Sequence, residues 1–136
     1  MPDATSNGAG TVVLVVEDDG LIRMVLAGEL EDAGFAVIEA KDADVAMAMI
    51  TDRPDIAVVV TDVRMPGSID GLGLAAWMRE HVPSVPIIVA TGHAEFPEIA
   101  TINPAISRVI AKPYRSQDVA MLVRELSSRG ETSRHS

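Results

Sequence analysis

Several things are scarce or missing in this sequence. It has no cysteine, which excludes disulfide cross-links, thiolate nucleophiles and Cys-ligated zinc or iron–sulfur sites. Aromatic residues make up 3% of its 136 residues, so a core has to be assembled from Val, Ile, Leu, Ala and Met. No uninterrupted apolar stretch approaches the ~20 residues of a membrane-spanning helix. The first ten residues carry neither the basic nor the apolar region of a secretory leader. A cytoplasmic chain that binds no membrane is the expectation. Positive charge is also scarce: 11 Lys and Arg stand against 20 Asp and Glu, for a net charge of −9. Nucleic acid and anionic membranes are held by clustered Lys and Arg, so nucleic acid is not an expected partner.

What is present suits one domain. Apolar residues form 48% of the chain, enough for a core, and the length fits a single unit. Residues 1–10 and 129–136 are small and polar without apolar periodicity and are expected to be disordered tails around one domain over 11–128. Residues 12–16, 56–61 and 86–90 are largely β-branched runs without alternation, as expected of strands covered on both faces. Shorter strands are expected at 35–39 and 107–111. Between them lie helical stripes at 21–33, closed by Gly34, at 42–51, opened by Asp42, at 71–81, and at 116–128. A fourth helix of at most two turns is expected within 95–104, bracketed by Pro97 and Pro104. Strands alternating with helices make right-handed βαβ units, and so an α/β fold with a doubly wound five-stranded parallel sheet.

In such sheets ligands bind beyond the carboxyl ends of the strands, where strand order reverses. The residues that follow the strands are therefore the informative ones. Glu17, Asp18 and Asp19 follow the first, Asp62 the third, Thr91 the fourth, and Lys112 and Pro113 the fifth. If the first and third strands are neighbours, Glu17, Asp18 and Asp62 share one crevice. At ~4 Å and an effective dielectric of ~20 each carboxylate pair repels by about 4 kcal/mol, so the group needs a proton or a cation. Oxygen donors with room for water suit Mg²⁺. With Thr91 and Lys112 alongside, the set has the parts of a phosphoryl-binding site around a carboxylate nucleophile. Asp19 reads mostly as a helix N-terminal acid.

These segments resemble the receiver (CheY-like) domain of two-component response regulators. The resemblance is carried by Glu17-Asp18 after Val15-Val16, Asp62 in Thr61-Asp62-Val63-Arg64-Met65-Pro66-Gly67, Thr91 in Ile87-Ile88-Val89-Ala90-Thr91-Gly92-His93, and Lys112-Pro113-Tyr114. It implies a (βα)5 flavodoxin-like sheet of order 2-1-3-4-5. It implies that Asp62 accepts a phosphoryl group from a histidine kinase or histidine phosphotransfer protein in an Mg²⁺- (or Mn²⁺-) dependent reaction. Glu17, Asp18, Asp62 and the backbone carbonyl of Arg64 would hold the metal, and Thr91 and Lys112 would take the phosphoryl oxygens. Lys112–Pro113 becomes a candidate cis peptide. Such a chain is a phosphoacceptor that catalyses only its own phosphorylation and dephosphorylation. More narrowly, the Ala90-Thr91-Gly92 segment is similar to stand-alone alphaproteobacterial receivers of the so-called FATGUY subgroup. No output module is evident, so signalling is expected by protein contact, through the face of the fourth helix, fifth strand and last helix, or by action as a phosphate sink.

The sequence departs from the family at two places. The switch position three residues before the lysine, usually aromatic, is Val109. Activation is instead expected through a change of order in 92–106. The loop from Met65 to Gly71 is one residue longer than usual. Arg64 and His93 stand two residues after the acceptor and the threonine, at positions that tune the lifetime of the modified aspartate, and slow self-hydrolysis is expected. Two other readings compete: a phosphorylation-independent adaptor with a receiver fold, and a haloacid-dehalogenase-type phosphatase. The latter needs a second Asp two residues after the nucleophile, where Arg64 stands.

Overall fold

All five residues of the first strand, β1 (Val12–Val16), are buried. Val12, Leu14 and Val16 join one apolar cluster, while Val13 and Val15 join the other. The period-2 geometry of a strand thus feeds two half-cores from one β-branched run. The computed structural model describes residues 10–65, 67–92 and 105–135. Along it follow α1 (Gly20–Asp32), β2 (Ala36–Ala40), α2 (Ala43–Asp52), β3 (Ile56–Asp62), α3 (Gly71–His81), β4 (Ile87–Thr91), β5 (Arg108–Ala111) and α4 (Ser116–His135). The expected fourth helix at 95–104, His93 and the first nine residues lie outside the described residues.

The strands pair in parallel in the order β2-β1-β3-β4-β5, the flavodoxin-like arrangement. Strand order reverses between β1 and β3, which makes their carboxyl ends the switch point. A register shift near Val12 skips Ala57, pairing Val12 with Ile56 but Val13 with Val58. The shift lets Ile56 and Val59 serve one half-core while Val58 and Val60 serve the other. On one side α2 and α3 contribute Ala46, Ile50, Leu74 and Met78. On the other α1 and α4 contribute Leu26, Leu30, Val119, Val123 and Leu126.

Local signals set the ends of the helices. Asp19, Asp42 and Asp70 are N-caps whose carboxylates accept backbone N–H bonds from the first turns of α1, α2 and α3. Gly34 follows α1 at φ 105°, a conformation that favours glycine. The last helix differs from expectation. It continues through the residues expected as a disordered tail, to His135. No proline interrupts that stretch, and propagating a formed helix costs far less than nucleating one. Polarity alone marked the wrong boundary. Smaller differences are one-residue offsets at β2 and β4, and a β3 that includes Asp62 as its last residue.

Candidate functional site

The carboxyl edge of the sheet gathers the acids. Glu17, one residue past β1, extends the pairing with β2 by donating its N–H to the Ala40 carbonyl at 3.1 Å. Its side chain is only 6% exposed, and its Oε2 accepts the Asp19 N–H at 3.0 Å. Asp18 is exposed, and Asp62 is half-buried at the end of neighbouring β3. One carboxylate oxygen from each of Glu17, Asp18 and Asp62 lies within 4.8 Å of the others. One residue past β5, Lys112 donates to Asp62 Oδ2 at 2.8 Å. Its backbone N–H bonds the Thr91 carbonyl at 2.8 Å, and the Lys112–Pro113 peptide is cis. Thr91 is fully buried as the last residue of β4.

The electrostatics follow from this packing. Burial pushes the Glu17 carboxyl above its ordinary value of 4.5; the Asp62 charge and the Asp18 side chain add to this, and the Asp19 N–H and the Lys112 charge oppose it. For Lys112, burial acts downward, but the Asp62 hydrogen bond and charge, with Glu17 and Tyr114, outweigh it and raise the ammonium above its ordinary value. Burial likewise raises the Tyr114 phenol. Among the described residues three carboxylates cluster here, and the Lys112 ammonium bonds one of them, Asp62. Two of the three remain partly open to solvent. Hard oxygen donors with open positions fit Mg²⁺, which keeps several waters and binds through one or two carboxylates.

Sequence reasoning missed three features here. Gly71 opens α3 against the acceptor strand and donates its N–H to the Val63 carbonyl at 2.9 Å. A Cβ at this position would overlap the Asp62 carbonyl oxygen and lie 2.9 Å from Val63 Cα, so only glycine fits. Its signal in the sequence was a glycine directly after an N-cap, where helices gain nothing from one. Arg23 on α1 reaches back to the Glu17 carbonyl at 2.7 Å. An apolar surface also lies beside the site. Exposed Leu21, Ile22 and Val25 of α1, with Pro113 and Tyr114, line a groove of about 640 Å³ that Lys112 borders. Arg64 is exposed on the loop after β3. Val109 is half-buried against the α2/α3 half-core, paired with Val89.

A model of the response regulator receiver domain matches residues 13–124. The chain belongs to that family. A putative NtrX-like response regulator of Rickettsia conorii is 30% identical over 119 residues, covering 82% of this chain and 24% of its own. The crystallised receiver domain of NtrX from Brucella abortus is 36% identical, with a TM-score of 0.74, covering 85% of this chain and 96% of that one. A receiver domain from Clostridium thermocellum superposes with a TM-score of 0.83 at 23% identity, covering 90% and 98%; that likeness shows the fold. This receiver spans about a quarter of the length of its NtrX-like relatives. It is a two-component receiver domain whose Glu17, Asp18 and Asp62 cluster as in a phosphoacceptor site. Receiver domains bind Mg²⁺ at such clusters and are typically phosphoacceptors, with histidine kinases as partners. Among the described residues no helix is long and apolar enough to cross a membrane.

Proposed function

We propose that this receiver takes a phosphoryl group onto Asp62 from a phosphohistidine of a kinase or phosphotransfer protein. The observation that carries the reading is Asp62 itself, set at the switch point with two further carboxylates and held by Lys112 at 2.8 Å. A carboxylate oxygen of Asp62 attacks phosphorus, the donor's N–P bond breaks, and an acyl phosphate forms. Glu17, Asp18, Asp62 and the Arg64 carbonyl are the groups to hold Mg²⁺ or Mn²⁺, which when bound offsets the charge of carboxylate and phosphoryl oxygens. The Lys112 ammonium and Thr91 hydroxyl take the transferred oxygens from the β4–β5 side. Exposed Arg64 shields the acyl phosphate from water and prolongs its life; His93, its expected partner in this tuning, lies outside the described residues.

The donor's imidazole has to come within bonding distance of Asp62. The apolar groove of Leu21, Ile22, Val25, Pro113 and Tyr114 gives a donor protein a surface to bury beside that approach. Output runs by protein contact through β5, the last helix and the segment before them, or the receiver serves as a phosphate sink, with a single domain over 11–128 acting in the cytoplasm. The test is incubation with phosphoramidate or acetyl phosphate and Mg²⁺, read by intact mass. One added phosphoryl group is expected, lost in Asp62→Asn and in EDTA. No adduct from any donor overturns the reading in favour of a phosphorylation-independent adaptor, which Val109, without a ring at the switch position, also suits.

A further inference from the structure

We propose that Arg23 is a positioning residue for the acidic cluster: its guanidinium fixes the peptide between Glu17 and Asp18 and so aims both carboxylates. The inference rests on the reading that these acids hold a divalent cation. Arg23 stands at the start of α1, where its own N–H bonds the Asp19 carbonyl at 2.9 Å. Its side chain turns back toward the strand ends. Nη1 donates to the Glu17 carbonyl at 2.7 Å, and Nε donates to Glu39 Oε1 at 3.0 Å. Glu39 lies on β2, opposite Val15 of β1.

A planar guanidinium bound at two edges has little freedom to rotate, and its short bond to a carbonyl is charge-assisted. The carbonyl it holds belongs to the peptide plane that also carries the Asp18 N–H. Fixing that plane sets the direction in which Asp18 leaves the strand. The same turn brings the Asp19 N–H back onto Glu17 Oε2 at 3.0 Å. Glu17 is thus held at its carbonyl by Arg23 and at its carboxylate by Asp19, with Asp18 between them. Arg23 spends both hydrogen bonds on groups outside the set of cluster carboxylates, so it supports the ligands without occupying them.

Charge and position predict opposite results, which makes the proposal testable. Removing a cation near three acids should, by Coulomb's law alone, tighten Mg²⁺ binding. Loss of a positioning contact weakens it, by about tenfold where such supports have been removed from metal sites. Mg²⁺ titration calorimetry on the wild type, Arg23→Gln, Arg23→Lys and Glu39→Gln separates the two. Arg23→Gln is expected to raise the Mg²⁺ Kd about tenfold and to leave the phosphorylation rate at saturating Mg²⁺ unchanged. Arg23→Lys, which keeps the charge but not the fork, falls between it and the wild type, and Glu39→Gln stays within about twofold. In EDTA, the amide resonances of Asp18 and Asp19 shift in Arg23→Gln. Unchanged or tighter Mg²⁺ binding in a folded Arg23→Gln overturns the proposal. If that variant does not fold, wild-type affinity in Arg23→Lys overturns it. A wild type that binds no Mg²⁺ defeats the cluster reading and this inference together; a wild type that binds, with unaffected variants, defeats this inference alone.

Discussion

Glu17 is nearly buried beside two other acids, and the consequence is a pH dependence of stability with a definite sign. Its carboxyl is raised above 4.5 by burial first and by Asp62, so the folded state holds this proton more tightly than the unfolded state. Below 4.5 both states are protonated and there is no penalty; as pH rises through the folded value, stability is lost. In EDTA, Glu17→Gln is therefore expected to melt higher than the wild type at pH 7, with the gain vanishing near pH 4. Added Mg²⁺ should stabilise the wild type more than the variant. Gly71→Ala forces a methyl group onto the Asp62 carbonyl and Val63. It should cost about 1–3 kcal/mol in chemical denaturation and slow phosphorylation from phosphoramidate. Arg64→Ala should shorten the half-life of the acyl phosphate; a half-life equal to that of the wild type rejects the shielding role. The strand-end placement of Glu17, Asp18, Asp62, Thr91 and Lys112 was legible in the sequence because each stands within two residues of the end of an apolar run. Gly71 and Arg23 were not, because their partners, the Asp62 backbone and the Glu17 carbonyl, become neighbours only when helices pack over strand ends.

At the scale of elements, α1 faces two ways. Leu26 and Leu30 are buried against the sheet, while Leu21, Ile22, Met24 and Val25 remain exposed. Four large apolar side chains in the open on one helix, next to the acceptor site, suit a surface that a donor protein covers. The double variant Leu21→Ser/Val25→Ser should slow transfer from a cognate histidine kinase about tenfold while leaving phosphorylation by phosphoramidate unchanged. Equal rates with the kinase would remove α1 from the docking surface. Periodicity marked α1 as a helix but not which of its apolar residues are buried, since that depends on where α4 lies across it. The N-caps were easier to read. Asp42 bonds the Val45 N–H at 2.9 Å, and Asp42→Ala should cost about 1 kcal/mol. The end of α4 was misplaced because polar residues continue a helix without leaving an apolar stripe to count.

For the whole molecule, alternating β-branched strands and amphipathic helices were enough to specify a two-sided parallel sheet. The order 2-1-3-4-5 came only from the family resemblance, because several crossover patterns share the same alternation. That order is what brings Asp62 of β3 beside Glu17 and Asp18 after β1, and it gathers three of the chain's 20 acids into one crevice. The aromatic-poor core closes over both faces with aliphatic side chains such as Leu14, Leu30 and Leu74, all fully buried. Phosphorylation at one defined carboxylate is the central claim, and chemical trapping tests it most directly. The protein is treated with phosphoramidate and Mg²⁺, reduced with borohydride, which converts an acyl phosphate to an alcohol, and mapped by peptide mass spectrometry. Homoserine at position 62, absent without Mg²⁺, is the expected result; no homoserine, or homoserine at Asp18 or Glu17-derived alcohol in its place, would contradict it.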